Sequence, residues 1–211
     1  MKPALTLLAC LSGAAMLVAE TLVVCRSFDN DPLGTPAGFA FAAARQAKVG
    51  TWIVGGDDGN RYLAHVARPI ANGGVSLAVL DGVVVSNPRV TARVKLVGGQ
   101  RRGGIVWRYR DAQNHYAVAL NLKAQEIALY RVAGGNRIRL KREDDLELDV
   151  DAWHTLRVVE KGERIRVYLG GIRVFSARAR SSAGPGGVGV WSEGGSSNWF
   201  DDVRVDSGGE R

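Results

Sequence analysis

The chain is poor in the residues that build most metal and redox centres. Its 211 residues include two cysteines and three histidines. His65, His115 and His154 are scattered, and no two stand at metal-ligand spacing. This argues against a zinc-type centre built on imidazole and thiolate. Cys10 falls in an N-terminal leader, which leaves Cys25 alone in Leu-Val-Val-Cys. A cysteine in that setting is expected to be a buried apolar side chain, and no internal disulfide is expected. Proline is also scarce, at six residues, and glycine is abundant without a collagen-like period; the composition is that of a globular domain. After residue 26 no segment sustains a 3.6-residue apolar period, which excludes a mainly helical fold. Phe39 to Ala47 is the best helical candidate, and it reads equally well as a strand followed by one turn.

The first nineteen residues stand apart. Lys2 precedes an apolar run that ends in small residues at Ala19. A basic start, an apolar run and small residues near its end describe a cleaved signal peptide over residues 1–19. The run falls short of the roughly 20 residues of a membrane span. Ala15 and Ala19 each fit as the last residue removed. Leu7-Leu8-Ala9-Cys10 also resembles a lipobox, in which Cys10 would carry the lipid. A secreted or periplasmic protein is expected, with no membrane span in its mature chain. The remainder reads as one domain over 26–206 and a frayed polar tail over 207–211.

The formal net charge is +7. Its carriers are spread along many strands, among them Arg89, Arg93, Lys95, Arg137, Arg139, Lys141, Arg164 and Arg166. They describe either solvated strand faces or an attraction to an anionic partner such as an acidic polysaccharide or a lipopolysaccharide surface. No nucleic-acid-binding module is visible, and nucleic acid is not an expected partner.

Residues 89–97 alternate: Arg89, Thr91, Arg93 and Lys95 face one way, Val90, Ala92, Val94 and Leu96 the other. A period of two with one polar face is a strand covered on one side. Residues 104–132 read as three strands joined by two tight turns. About twelve short strands at roughly 8–12-residue spacing follow from the whole pattern, and they predict an all-β, antiparallel two-sheet sandwich of jelly-roll type.

Gly-Gly-Ile-Val-Trp-Arg-Tyr-Arg-Asp-Ala-Gln-Asn-His-Tyr (103–116), Glu-Ile-Ala-Leu-Tyr-Arg-Val (126–132), Trp-His-Thr-Leu-Arg-Val (153–158), Ile-Arg-Val-Tyr-Leu-Gly-Gly (165–171), Gly-Gly-Val-Gly-Val-Trp (186–191) and Phe-Asp-Asp-Val-Arg-Val (200–205) follow one another in the chain. In this order they resemble the concanavalin A-like lectin/glucanase superfamily. The likeness is to laminin-G-like and 3-keto-disaccharide hydrolase-like domains of exported bacterial proteins. It implies two antiparallel sheets, one concave, with sugars lying across the concave face. It also implies a structural calcium in some members, for which Asp29, Asp31, Asp201 and Asp202 would be the matching carboxylates. The superfamily holds lectins, glycosidases and adhesive modules alike, so it specifies fold more than activity.

Two candidate sites follow. Glu143-Asp144-Asp145-Leu146-Glu147 resembles the carboxylate strand of laminarinase-type glucanases, in which alternate acids serve retaining hydrolysis; Asp144 stands where that family has an apolar residue, and between basic Arg137–Arg142 and Asp149-Val150-Asp151 the run reads as an acidic loop over 143–151. The second is the concave face. Alternation places His115, Ala117, Ala119 and Asn121 opposite the core set Tyr116, Val118, Leu120 and Leu122. The same reasoning exposes Arg108, while Trp107 and Trp153 are expected in the core. Arg108 and Asn121 would bond sugar hydroxyls or a carboxylate, and Tyr130 and Trp191 would offer stacking surfaces. The related hydrolase-like domains carry acids in the strand that here holds Ala117 and Ala119. Carbohydrate binding without catalysis is the leading expectation. A glycoside hydrolase and a structural or adhesive envelope module are the alternatives.

Overall fold

The structure is a computed structural model and describes residues 21–44, 49–57, 59–66, 74–179 and 184–207. The expected signal peptide lies outside the described residues, as do nearly all of the tail and parts of 39–47 and of the loop before residue 184. The described chain forms strands β1 (Thr21–Arg26), β2 (Phe39–Ala44), β3 (Thr51–Asp57), β4 (Asn60–Val66), β5 (Val75–Val85) and β6 (Pro88–Gly99). These are followed by β7 (Arg102–Asp111), β8 (Asn114–Asn121), β9 (Glu126–Ala133) and β10 (Asn136–Glu143). The last are β11 (Trp153–Lys161), β12 (Arg164–Leu169), β13 (Ile172–Arg178), β14 (Gly186–Glu193) and β15 (Ser196–Ser207).

Two antiparallel sheets result. One runs β13-β12-β11-β6-β15-β4-β3, with β1 added along β15; the other runs β10-β9-β8-β7-β14-β5-β2. This is the jelly-roll sandwich that the strand spacing and turn chemistry predict. The core lies between the sheets. From the eight-stranded sheet it takes Val90, Ala92, Val94, Leu156, Val158 and Phe200, all fully buried; from the seven-stranded sheet it takes Ile105, Trp107, Val118, Leu120, Ile127 and Leu129. Burying each large apolar side chain of this kind contributes about 1.5–3 kcal/mol. The alternation of β6 is realised residue by residue.

A second apolar layer covers the outer face of the seven-stranded sheet, built from Val75, Leu77, Val106, Ala117, Ala119 and Trp191 among others. Consequently His115 to Leu120 are buried without interruption. Two bulges alter the strands. In β7 the register shifts between Trp107 and Asp111, and Arg108 takes a left-handed φ of 48°. In β15 it shifts between Asp201 and Arg204, and Asp202 has φ 46°. A non-glycine residue in this region is uncommon and marks a local departure from the pleat.

Two expectations are corrected. Cys25 is exposed, because β1 pairs only with β15 and it is Val24 that packs against the core. Trp153 is half-buried on the outer face of the eight-stranded sheet, with Arg93 over its ring at 4.9 Å, whereas Trp107 is in the core as expected. The acidic run is the loop its surroundings suggest and not a catalytic strand face: β10 ends at Glu143 and Asp145 has φ 58°. Gln125 pins the following loop by accepting from Leu148 N at 2.6 Å, and Leu148 is buried. The carboxylates of Glu143, Asp145 and Glu147 are left at the solvent side, and Asp144 pairs with Arg142 at 2.7 Å.

Candidate functional site on the seven-stranded sheet

Cross-strand register brings Arg102 opposite Asn121 and Asn121 opposite Glu126. Three polar residues thus line up across β7, β8 and β9 at one end of the outer face. The next row is small, with Gly104, Ala119 and Ala128 in register and Trp191 beside Gly104. The Trp191 Nε1–H donates to the Val118 carbonyl at 3.0 Å. The indole therefore crosses β7 at Gly104, where no side chain stands in its way.

Charge is laced over this floor. Glu193 meets Arg102 at 3.1 Å and Arg137 at 2.9 Å. Glu126 meets Arg102 and Arg142, each at 3.7 Å, and accepts from Asn121 Nδ2 at 3.0 Å. Arg102 also donates to the Tyr130 hydroxyl. Both Arg102 and Arg137 stand over the Tyr130 ring, at 5.5 and 5.0 Å, a cation–π arrangement.

The Arg137–Glu193 pair reports the shape of the face. Their strands, β10 and β14, are four steps apart in the sheet. On a flat sheet four steps are about 19 Å, more than an arginine and a glutamate side chain span together. The face must curl toward itself, and it is concave. Between the two sides lies a dimple of ≈ 20 Å³ lined by Ala117, Tyr130, Val132, Arg137, His115 and Trp191. That is room for about one water molecule, so a saccharide would lie over the cleft rather than be enclosed. Burial lowers the pKa of His115, partly offset by a 3.4 Å contact between its Nδ1 and the Asp111 carbonyl; the imidazole is neutral near neutral pH.

The expected site residues divide. Asn121, Tyr130 and Trp191 share this face. Arg108 does not: it is buried, its Nε donates to Glu160 at 2.7 Å, and its Nη2 donates to the Gly162 carbonyl at 3.0 Å. The bulge at Arg108 inverts the alternation and turns its side chain toward the opposite sheet. The stacking role is also corrected, because Tyr130 and Trp191 are only 5% and 2% exposed; arginines roof the first and the apolar layer encloses the second. The residues that sequence reasoning missed are Arg102, Glu126, Glu193 and Arg137. All lie at or near strand ends, and only the register of the hairpins brings them together.

The calcium carboxylates are engaged elsewhere. Asp29 accepts from Arg61 N at 3.2 Å, Asp31 pairs with Arg26, and Asp202 pairs with Arg93 at 3.4 Å. Among the described residues no three His, Cys, Asp or Glu side chains gather as a metal-holding group.

No protein-family model matches the chain, and no curated protein matches its sequence. Solved structures match its fold. Carbohydrate binding module CBM66 from Bacillus subtilis is 16% identical, with a TM-score of 0.64 over 82% of this chain and 99% of that one. Domain 4 of AbnA, a GH43 extracellular arabinanase from Geobacillus stearothermophilus, in complex with arabinotriose, is 16% identical, with a TM-score of 0.63 over 91% and 95%. An endo-β-1,3-glucanase from Pyrococcus furiosus is 15% identical, with a TM-score of 0.59 over 89% and 94%. The fold is the concanavalin A-like sandwich that the sequence resembles.

Proposed function

We propose that this protein is an exported carbohydrate-binding module that holds a saccharide across the concave face of its seven-stranded sheet. The observation that carries the reading is the Arg102–Asn121–Glu126–Glu193 constellation, a set of directed donors and acceptors over a floor of small apolar residues. Such a face matches the alternating hydroxyl and C–H surface of a sugar ring. The solved structures of the same fold that are named as a carbohydrate binding module or as bound to arabinotriose support it by analogy of fold. Counted with Arg137, two guanidinium groups stand against two carboxylates, which favours a neutral, hydroxyl-rich glycan at this site. Export rests on the character of residues 1–19.

Hydrolysis is the less favoured reading. A general acid needs a carboxyl at liberty to move a proton, whereas Glu126 and Glu193 each contact two guanidinium groups. A glycan array probed with the parent protein, Asn121→Ala and Arg102→Ala tests the proposal. Binding of the parent to a neutral oligosaccharide, weakened at least about tenfold in either variant, is the expected result. Equal binding by folded variants would move the site elsewhere, and turnover of the bound glycan would replace binding with catalysis.

A further inference from the structure

The opposite side of the molecule is chemically different. On β12, Ile165 and Val167 are fully buried in the core, so Arg164, Arg166 and Tyr168 face outward. On β11, Leu156 and Val158 are buried likewise, and Arg157 and Lys161 face outward. Register then sets Lys161 opposite Arg164, and Arg164 opposite Arg178. Like charges directly opposite one another on neighbouring strands are destabilising, and here three cations stand in one row. They line an open groove of ≈ 500 Å³ with Arg166 and a single acid, Glu163. Further along the face, the Arg157 guanidinium lies 4.2 Å from the Tyr168 ring, and its buried Nε has no hydrogen-bond partner. The acids of this sheet face, Asp201, Asp202 and Asp206, are on β15, where they pair with Arg93 and Arg204. Arg173 of β13 is exposed opposite Tyr168, so among the described residues the β11-β12-β13 side carries six cations beside Glu163.

We infer that this outer face is a second binding surface, for a carboxylate-bearing polysaccharide. Five of its six cations are arginines, whose planar forks match carboxylates in two-point contact. On β12 Arg164 and Arg166 stand two residues apart, about 6.7 Å, on β11 Arg157 and Lys161 stand four apart, and the face is about 26 Å long from Trp153 to Lys161 at the usual rise. Exposed single contacts over that length are weak one at a time and add up for a polymer with repeated charges. Nucleic acid fits less well. Tyr168 is capped by Arg157, Trp153 by Arg93, and Trp199 by Lys95 and Tyr62, which leaves these rings without a bare face for a base to stack on.

Affinity electrophoresis of the folded chain through gels containing polygalacturonate, dextran or neither tests this. Retardation by polygalacturonate alone is expected, weakening between about 50 and about 200 mM salt. Arg164→Gln combined with Arg178→Gln should weaken it at least about tenfold while leaving neutral-glycan binding at Asn121 unchanged; Lys161→Gln carries the same expectation if the double variant does not fold. No retardation, retardation unaffected by these changes, or tighter binding to anionic phospholipid vesicles or a single-stranded oligonucleotide would overturn the assignment. Loss of the concave-face site alone would leave it standing.

Discussion

Arg108 and Glu160 belong to different sheets, and their side chains meet in the interior. Arg108 Nε donates to one carboxylate oxygen at 2.7 Å, and Trp107 Nε1 donates to the other at 2.7 Å. One carboxylate thus ties two consecutive residues of β7 to β11 across the sandwich. Its burial is tolerable because both oxygens are satisfied, while the guanidinium also reaches the Gly162 carbonyl.

Removing either partner alone leaves an uncompensated buried charge. Glu160→Ala and Arg108→Ala are each expected to lower unfolding stability by about 3–5 kcal/mol. Arg108→Met together with Glu160→Leu should cost less than either single change, because no unpaired charge remains. Urea titrations of the four proteins check this; additive losses in the double variant would contradict it.

Asp201 gives the fold a pH dependence of defined sign. Burial raises its carboxyl to about 6, helped by the Asp202 charge and opposed by the Asp202 N–H, Asn60 and Arg93. Its ordinary value is 3.8. Between these values the folded protein holds a proton that the unfolded chain has released. This group therefore favours folding below about pH 4, and that contribution is lost as pH rises through about 6, a change on the order of 3 kcal/mol. Asp201→Asn removes the effect. The variant should be more stable than the parent at about pH 8 and close to it at about pH 4. A stability difference that does not vary with pH in parallel denaturant titrations would refute this account.

Gly104 connects packing to the candidate site. A Cβ there would stand 2.2 Å from the Val118 carbonyl oxygen, the same oxygen that accepts from Trp191. Gly104→Ala is expected to cost about 1–3 kcal/mol through overpacking and to weaken glycan binding, because the floor beneath the polar row shifts. Thermal melting and the glycan array read the two effects. An unchanged melting temperature would show that the indole does not depend on this gap.

The fold was legible where the two faces of a strand differ in chemistry. Val90 to Leu96 alternate with Arg89 to Lys95, so that strand's orientation could be read directly. Arg108 could not be, because alternation assumes an unbroken pleat. The bulge there uses an arginine at positive φ, where glycine or asparagine would have announced it. The outer face of β8 misled for another reason. Ala117 and Ala119 look like the solvent side of a strand, yet a second apolar layer and the Arg137–Glu193 bridge cover them. Arg102, Glu126 and Glu193 come from separate strands, and their meeting depends on register, which residue type alone does not encode. Asn121 was identified because it continues the parity of the alanines.

β10 forms one margin of the seven-stranded sheet. An open margin of this kind is a template on which another copy could add a strand, the first step toward fibrous assembly. In β10 Arg137, Arg139, Lys141 and Arg142 occupy half of the eight positions. Two such margins brought together would stack like charges at strand spacing. The basic character of the chain thus also works as protection against self-templating at this edge of the sheet.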